Sequence, residues 1–326
     1  MARDDAPQPK RSAARRKREE LHAQIRSTRE DIERQVRDQR ERIDQVNERI
    51  TARTGRNLVL AIGIGVFLGV VLVVSLIFVK ILFALFATIL VGFTAFELVS
   101  ALRRVGRVVD VIPAVVSAVA IVGTSYFFDA PTRGVVLIAG VVLVVVWRLI
   151  TEMASHAKRG LREVISDLAT VVFIQLYVAW FASFAVVLVA QPQGEWWALA
   201  FIILVASADV GAYALGLSFG KHPMAPLISP NKTWEGFIGA AACSVIAGVL
   251  LALFMIHQPW WLGVIIGLLI LGSATVGDLT ESMIKRDMGI KDMSSWLPGH
   301  GGFLDRLDSI LPSAVVMFAV YSIVVP

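Results

Sequence analysis

Residues 268–282 read LLILGSATVGDLTES, and this stretch decides the class of the fold. Apolar and small residues dominate it as far as Asp278, where charged and polar residues begin to appear. A carboxylate placed in lipid costs a few kcal/mol, so such a residue normally faces a protein interior or a water-filled cavity. The stretch therefore predicts a membrane helix that carries a polar site at one end.

The rest of the chain has the same apolar character. Its 326 residues are 56% hydrophobic and 17% charged, whereas soluble domains carry about a quarter charged residues. From Asn57 onward we predict nine membrane helices, each long enough to cross a hydrocarbon core of about 30 Å. Their approximate bounds are 58–79, 81–101, 108–127, 132–150, 168–190, 196–219, 236–256, 259–280 and 309–325. The predicted fold is an all-α polytopic membrane helix bundle.

Positive charge is concentrated before the first apolar run. Residues 1–56 hold 16 of the 31 Lys and Arg residues and no apolar run that could serve as a cleavable signal peptide. The loops predicted on the same side carry most of the other cations, whereas the opposite turns carry only Lys80 and Arg133. The positive-inside rule therefore predicts a multi-pass protein of the cytoplasmic (inner) membrane with a cytoplasmic N-terminus.

We divide the chain into a charged cytoplasmic helical arm, residues 1–56, and a membrane-embedded domain, residues 57–326. Six of the eight positions that follow alternating four- and three-residue steps from Ile25 to Ile50 are apolar, and Arg29 and Gln39 occupy the other two. This spacing predicts a short coiled coil, which would pair two copies of the chain into a homodimer. The alternatives are a helix lying on an anionic inner leaflet and a solvated helix with no specific partner.

Three acidic residues lie within predicted membrane helices. We expect Asp209 and Asp278 to face a polar cavity inside the bundle. Glu97 lies nearer the inner edge, where we expect it to snorkel or to pair with Arg103 or Arg104. Small residues that let helix backbones approach closely recur every four positions beside Asp209 and on the next helix. These two stripes are Ala208, Ala212 and Gly216, and Gly236, Ala240, Ser244 and Gly248.

The loop between those two helices, GKHPMAPLISPNKTWEG at 220–236, predicts an anion site. Ser229 followed by Pro230 is typical of a helix N-cap and first helical residue. Lys232 would then lie in the first turn, where the helix dipole disfavours a cation. An anion shared with the free backbone N–H groups would relieve this conflict. The alternative is an ordinary capped helix with an exposed lysine.

The densest polar stretch runs from Gly277 to Ser309. Asp278, Ser282 and Lys285 lie on one helix face, at steps of four and three residues. Asp305 and Asp308 are again three apart and share a face if the last helix has begun there. Pro312 cannot donate to the Asp308 carbonyl, so we also predict a kink that leaves this carbonyl facing water or metal.

The residue types in this stretch indicate a polyphosphate site. Its carboxylates, with no cysteine and a single histidine nearby, favour a hard cation such as Mg²⁺ over zinc. Glycines at 299–302 let backbone N–H groups approach an anion closely. The alternative is a charged cytoplasmic loop without a ligand. The basic residues that would neutralise phosphate groups are Lys285, Arg286, Lys291 and Arg306.

The segment SMIKRDMGIKDMSSWLPGHGGFLDRLD, residues 282–308, resembles the signature of the phosphatidate cytidylyltransferases, also called CDP-diacylglycerol synthases. The resemblance extends to GDL-x-ES at 277–282, SPNKTWEG at 229–236 and D-x-x-A-Y-x-x-G at 209–216, and it covers roughly residues 190–326. The matching signature positions are Ser282, Lys285, Arg286, Lys291, Asp292, Leu297, Pro298, His300, Gly301, Gly302, Asp305, Arg306 and Asp308.

The resemblance implies a membrane enzyme that joins CTP to phosphatidic acid, giving CDP-diacylglycerol and pyrophosphate at a cytoplasm-facing site within residues 205–309. The resemblance also implies Mg²⁺ held by Asp278 and Asp305, with room for a second cation. The partner it implies is the lipid bilayer, and it implies no nucleic acid. The catalytic residues it implies are Asp278, Lys285, Arg286, Asp305, Arg306 and Asp308. The substrate- and phosphate-binding residues it implies are Asp209, Ser229, Lys232, Ser282, Lys291, Asp292, His300, Gly301 and Gly302.

Two other functions share some of these features. A transporter would also place aspartates among small-residue helices, but it would offer polar groups towards both membrane faces. A CTP-using lipid kinase would share the nucleotide and the membrane, and would differ in which phosphate is transferred. Product analysis separates the three.

Overall fold

The computed structural model describes residues 58–155, 159–294, 296–297 and 301–325. In this part of the chain helices predominate, and one short hairpin interrupts them. A π-helical segment, Gln175–Trp180, joins the helices Leu161–Ile174 and Phe181–Ala190. The helices are α1 (Leu58–Phe78), α2 (Lys80–Arg104), α3 (Val111–Thr124), α4 (Ala130–Ala154), α5 (Leu161–Ile174), α6 (Phe181–Ala190), α7 (Gly194–Phe219), α8 (Trp234–Phe254), α9 (Trp260–Asp287), α10 (Leu304–Leu307) and α11 (Ile310–Val324).

Seven helical spans in the described residues are long and apolar enough to cross a membrane: α2, α4, α5 with α6, α7, α8, α9, and α10 with α11. This confirms the predicted all-α polytopic fold. All nine predicted segments are helical, but nine crossings are not confirmed. The 14 residues of α3 rise only about 21 Å, which is less than a hydrocarbon core.

The chain forms two compact units, residues 1–62 and 63–326. In the first unit the structure describes only the opening residues of α1. The arm, its coiled coil and the homodimer predicted from it therefore lie outside the described residues. The second unit contains the remaining helices and the hairpin.

The small-residue stripes bring three helices into backbone contact. A Cβ on Gly236 of the α8 stripe would lie 2.9 Å from the carbonyl oxygen of Ala212 and 3.4 Å from the Cα of Gly216, both in the α7 stripe. Gly248 of α8 and Gly263 of α9 also approach each other closely. The predicted close approach is confirmed, and it places α8 directly against both α7 and α9.

A two-stranded hairpin replaces the helix start that the sequence indicates at Ser229. The strands β1 (Pro223–Ala225) and β2 (Ser229–Thr233) pair antiparallel. The predicted N-cap is therefore wrong, and so is the placement of Lys232 in a first helical turn, because Lys232 lies in β2. Proline is tolerated there because a two-stranded sheet has only edge strands, which can leave an N–H unused. The helix α8 begins at Trp234, and its cap is Thr233, whose Oγ1 accepts a 3.1 Å hydrogen bond from the Gly236 N–H.

The last membrane span is interrupted where Pro312 predicts it. The α10 helix ends at Leu307 and α11 begins at Ile310. The Asp308 carbonyl lies against Gly277 of α9, where a Cβ would overlap it. The interruption is therefore confirmed, whereas the expectation that this carbonyl faces water or metal is wrong because α9 covers it.

Candidate active site

A cavity of about 280 Å³ lies among α7, α8, β2 and α9. This volume is close to the lower bound of about 300 Å³ for small-molecule sites. Small residues of the stripes form one wall, and charged and polar residues form the other. The polar wall consists of Asp209, Asn231, Lys232, Thr233, Thr275, Asp278 and Ser309, with Tyr213 beside Asp209 on α7.

Lys232 and Asp278 form an ion pair inside this cavity, with 2.5 Å between Nζ and Oδ2. The two side chains keep 23% and 35% of their surface exposed, so the pair remains accessible. The Ser282 hydroxyl lies 3.4 Å from the other Asp278 oxygen, at the long end of hydrogen bonding. Asp209 adds a second carboxylate to the same cavity.

A second lysine–aspartate pair lies at the C-terminal end of α9, and it is more deeply buried than the first. Lys285 Nζ donates a 2.8 Å hydrogen bond to Asp305 Oδ1 and forms an ion pair with Glu281. Asp305 Oδ2 accepts hydrogen bonds from the backbone N–H groups of Met293, at 3.2 Å, and Gly302, at 2.7 Å. The side chains of Asp305 and Glu281 keep only 6% and 1% of their surface exposed. This cluster holds the segment between α9 and α10 in place.

Glu281 was not among the site residues predicted from the sequence. It stands four residues before Lys285, and an acidic residue four positions ahead of a lysine on a helix is a usual pairing signal. That spacing alone could have identified it.

Arg286 anchors the hairpin to α9. Its Nε donates a 3.1 Å hydrogen bond to the carbonyl of Ile228, next to Ser229. At the other end of the hairpin, the Glu235 carboxylate accepts hydrogen bonds from the backbone N–H groups of Lys221 and His222, at 3.1 and 3.2 Å. These bonds fix the hairpin that carries Lys232 into the cavity.

Other predicted site residues are spread around the same end of the bundle. Asp308 follows α10, and one of its oxygens accepts a 2.6 Å hydrogen bond from the Ser309 N–H. Gly301 has a φ of +81°, a conformation that glycine adopts most readily. His300 lies outside the described residues. The exposed members of the predicted set are Asp209, Arg286, Lys291, Asp292 and Arg306.

Glu97 does not extend to the protein surface as expected. It is 2% exposed, and its carboxylate accepts hydrogen bonds from the Ser294 hydroxyl and the Leu304 N–H. The predicted snorkelling is therefore wrong because the chain between α9 and α10 folds over Glu97 and supplies it with donors. Periodicity could not reveal these partners, which stand about 200 residues away.

The surroundings of Asp278 suit the predicted Mg²⁺ site better than those of Asp305 do. No three His, Cys, Asp or Glu side chains cluster as a metal site in the described part of the chain. Mg²⁺, however, is commonly held by one or two carboxylates together with substrate phosphates and water. Asp278, with Asp209 in the same cavity, suits that ligand set. Both Asp305 oxygens already have Lys285 and backbone donors.

Known proteins resemble this chain over most of its length. The sequence model of the cytidylyltransferase family matches residues 59–324. The chain is 39% identical over 282 residues to a phosphatidate cytidylyltransferase of Mycobacterium bovis, covering 84% of this chain and 91% of that protein.

Two further relatives carry the same name. The phosphatidate cytidylyltransferase of Mycobacterium leprae is 38% identical over 285 residues, covering 84% of this chain and 90% of that protein. That of Haemophilus influenzae is 48% identical over 128 residues, covering 36% and 43%. With the family match extending over nearly the whole membrane domain, this chain belongs to the cytidylyltransferase family.

Proposed function

We propose that this protein transfers CMP from CTP to phosphatidic acid, giving CDP-diacylglycerol and pyrophosphate. The observation that carries the proposal is the cavity in which Asp209, Lys232 and Asp278 meet among membrane-spanning helices. Such a site lets a soluble nucleotide react with a lipid head group that stays in the membrane. The relatives that cover most of the chain are named for this activity.

In the proposed reaction, an oxygen of the phosphatidic acid phosphate attacks the α-phosphorus of CTP. The bond from that phosphorus to the bridging oxygen of the β-phosphate breaks, and pyrophosphate leaves. Both reactants are anions, so catalysis consists mainly of neutralising charge and aligning the groups. Lys232 is the cation of the cavity best placed to contact a phosphate, because its partner Asp278 is itself accessible. Arg286 supports the hairpin that carries it.

We further propose that Asp278 and Asp209 hold Mg²⁺ together with the substrate phosphates. When bound, the ion would neutralise charge on the departing pyrophosphate. For Asp305 we propose a supporting role, because Lys285 and two backbone N–H groups occupy its oxygens. A second cation remains a prediction from the family resemblance alone.

The cationic loops lead us to propose the cytoplasmic membrane as the location, with the N-terminus and the cavity on the cytoplasmic side. The cation-bearing connections after α2, α4, α7 and α9 alternate with short turns that carry few charges. This is the asymmetry that the positive-inside rule describes.

The test is pyrophosphate release by the purified full-length protein in neutral detergent, with CTP, phosphatidic acid and Mg²⁺. We expect release that requires all three and yields a cytidylated lipid in equal amount. Release that is the same without phosphatidic acid, or no release at all, would contradict the proposed function.

A further inference from the structure

The segment between α9 and α10, residues 288–303, carries the glycine-rich part of the signature, and we call it the signature loop. Its described backbone makes few regular hydrogen bonds of its own; one is the 3.0 Å bond from the Leu297 N–H to the Gly301 carbonyl. A loop of this kind keeps a defined shape only if neighbouring elements supply partners for its polar groups. The structure shows two carboxylates that do so.

The first of these carboxylates is Asp305, which belongs to the signature itself. The second is Glu97, which lies on α2 and outside the part of the chain that carries the signature. Glu97 Oε2 accepts a 2.8 Å hydrogen bond from the backbone N–H of Leu304, and Oε1 accepts one from the Ser294 hydroxyl. Leu304 is the first residue of α10, where backbone N–H groups lack partners within the helix.

Glu97 also packs directly on Gly302. A Cβ at residue 302 would lie less than 3 Å from all three atoms of the Glu97 carboxyl group. The Gly302 N–H in turn donates to Asp305 Oδ2. Gly302 is therefore held between the two carboxylates, and a displacement of one would be transmitted to the other.

Aromatic side chains strengthen the same contact between α2 and the signature loop. Phe93 stacks on Phe303 with 5.3 Å between ring centroids, and Phe96 stacks on Trp296 at 5.4 Å. Such pairs add about 0.5–1.5 kcal/mol each beyond their buried area. The described residues on either side of the loop's undescribed part are thus fixed to α2 by a buried carboxylate and by two aromatic pairs.

We propose that Glu97 is a positioning residue for cytidylyl transfer, which anchors the signature loop and thereby holds Gly302 and Asp305 against Lys285 of α9, the helix that carries Asp278 into the cavity. This inference rests on the proposed function. Glu97 is not expected to touch substrate, because Ser294, Leu304 and Gly302 surround its carboxylate. Through Glu97, the helix α2 would control the geometry of the signature loop, although α2 itself lies outside the signature.

The test compares Glu97→Gln and Glu97→Ala with Glu163→Gln, whose side chain is 61% exposed on α5. Glutamine keeps the size of the side chain but has only one acceptor oxygen. It therefore cannot give the Ser294 hydroxyl and the Leu304 N–H an oxygen each. We expect kcat/KM, normalised to folded protein, to fall about tenfold or more in Glu97→Gln. It should fall further in Glu97→Ala and stay unchanged in Glu163→Gln.

A double-mutant cycle separates positioning from general destabilisation. The losses caused by Glu97→Gln and Ser294→Ala should be less than additive, since both remove the same contact, whereas Glu97→Gln and Lys232→Ala should add. Hydrogen exchange of peptides covering residues 301–306 provides a readout that does not depend on activity. We expect faster exchange in Glu97→Gln than in Glu163→Gln.

Each outcome bears on one claim. If the unchanged protein releases no pyrophosphate, the proposed function fails, while hydrogen exchange still decides whether Glu97 anchors the loop. If the unchanged protein is active and Glu97→Gln matches it in kcat/KM and in exchange, the inference about Glu97 is overturned. A loss of activity that only follows the loss of folded protein would also overturn it.

Discussion

Two lysine–aspartate pairs at the same end of the bundle show how burial separates binding from support. Lys232 and Asp278 meet in the cavity and stay partly exposed, each with few other partners in the described structure. Lys285 and Asp305 are similar in chemistry but more deeply buried, and Glu281 and two backbone N–H groups complete their surroundings. Ion pairs of the first kind can open to a substrate at little cost. Pairs of the second kind are expensive to break.

The difference in burial indicates different roles for the two pairs, although the sequence predicts all four residues as site residues. The accessible pair faces the space where substrates would bind. The buried pair fixes the loop that follows α9. Substitutions in the first pair should therefore affect kinetics, and substitutions in the second should affect stability as well.

The largest expected effect is that of Lys285→Met on stability. Removing the ammonium group leaves Glu281 and Asp305 buried without their cation, and breaking a buried pair in this way costs about 3–5 kcal/mol. Lys232→Met is the matched control, for which we expect a loss of no more than about 1 kcal/mol. Thermal unfolding in detergent, followed by tryptophan fluorescence, measures both. Equal shifts in the two variants would remove the distinction between the pairs.

The next effect concerns turnover. Asp278→Asn should lower kcat about 10²-fold or more, because it removes a proposed metal ligand, while the unfolding temperature stays close to that of the unchanged protein. Asp287→Asn, on the same helix, is the control and should keep its activity. Asp305→Asn should lose both turnover and stability. Near-normal activity of Asp278→Asn at limiting Mg²⁺ would show that Asp278 is not a metal ligand.

A smaller effect is expected for Lys232→Ala. Loss of a charged hydrogen bond to a substrate phosphate should raise the KM for one substrate about tenfold or more, and lower kcat by less. Lys221→Ala, on the same loop but outside the cavity lining, should leave both constants unchanged. If Lys232→Ala changes neither the KM for CTP nor that for phosphatidic acid, Lys232 does not bind substrate.

The smallest effect is expected for deletion of residues 1–50. The family match begins at residue 59, and Arg53 and Arg56 remain to orient α1. We expect kcat in neutral detergent to stay within about tenfold of the value for the full-length protein, which corresponds to about 1.4 kcal/mol of activation free energy. Binding to anionic vesicles should weaken instead, since each basic residue at such a surface contributes about 1 kcal/mol. A larger loss of kcat would place the arm in the active site.

Local patterns were sufficient to predict the helices and part of the site. Apolar runs long enough to span lipid gave the bundle, and the cost of a carboxylate in lipid singled out Asp209 and Asp278, which do share a cavity. The small-residue stripes indicated that the backbones of α7 and α8 could approach closely, and they do. Each of these inferences depends on physics that acts within one helix or between neighbouring helices.

Pairing between distant segments could not be predicted in this way. Ser229 and Pro230 have the local chemistry of a helix start, but pairing with Pro223–Ala225 makes the segment a strand. Glu97 looked like an edge residue because its partners, Ser294 and Leu304, come from the other end of the chain. Propensity and spacing describe a segment by itself, whereas these contacts form only once the bundle has assembled.

The most direct test of the central claim follows labelled phosphate from CTP in the purified full-length protein with phosphatidic acid. We expect the α-phosphate of CTP to enter the lipid and the γ-phosphate to be recovered in pyrophosphate, and we expect Asp278→Asn to slow both transfers about 10²-fold or more. Recovery of the γ-phosphate in the lipid, with CDP as the other product, would identify a lipid kinase and contradict the account.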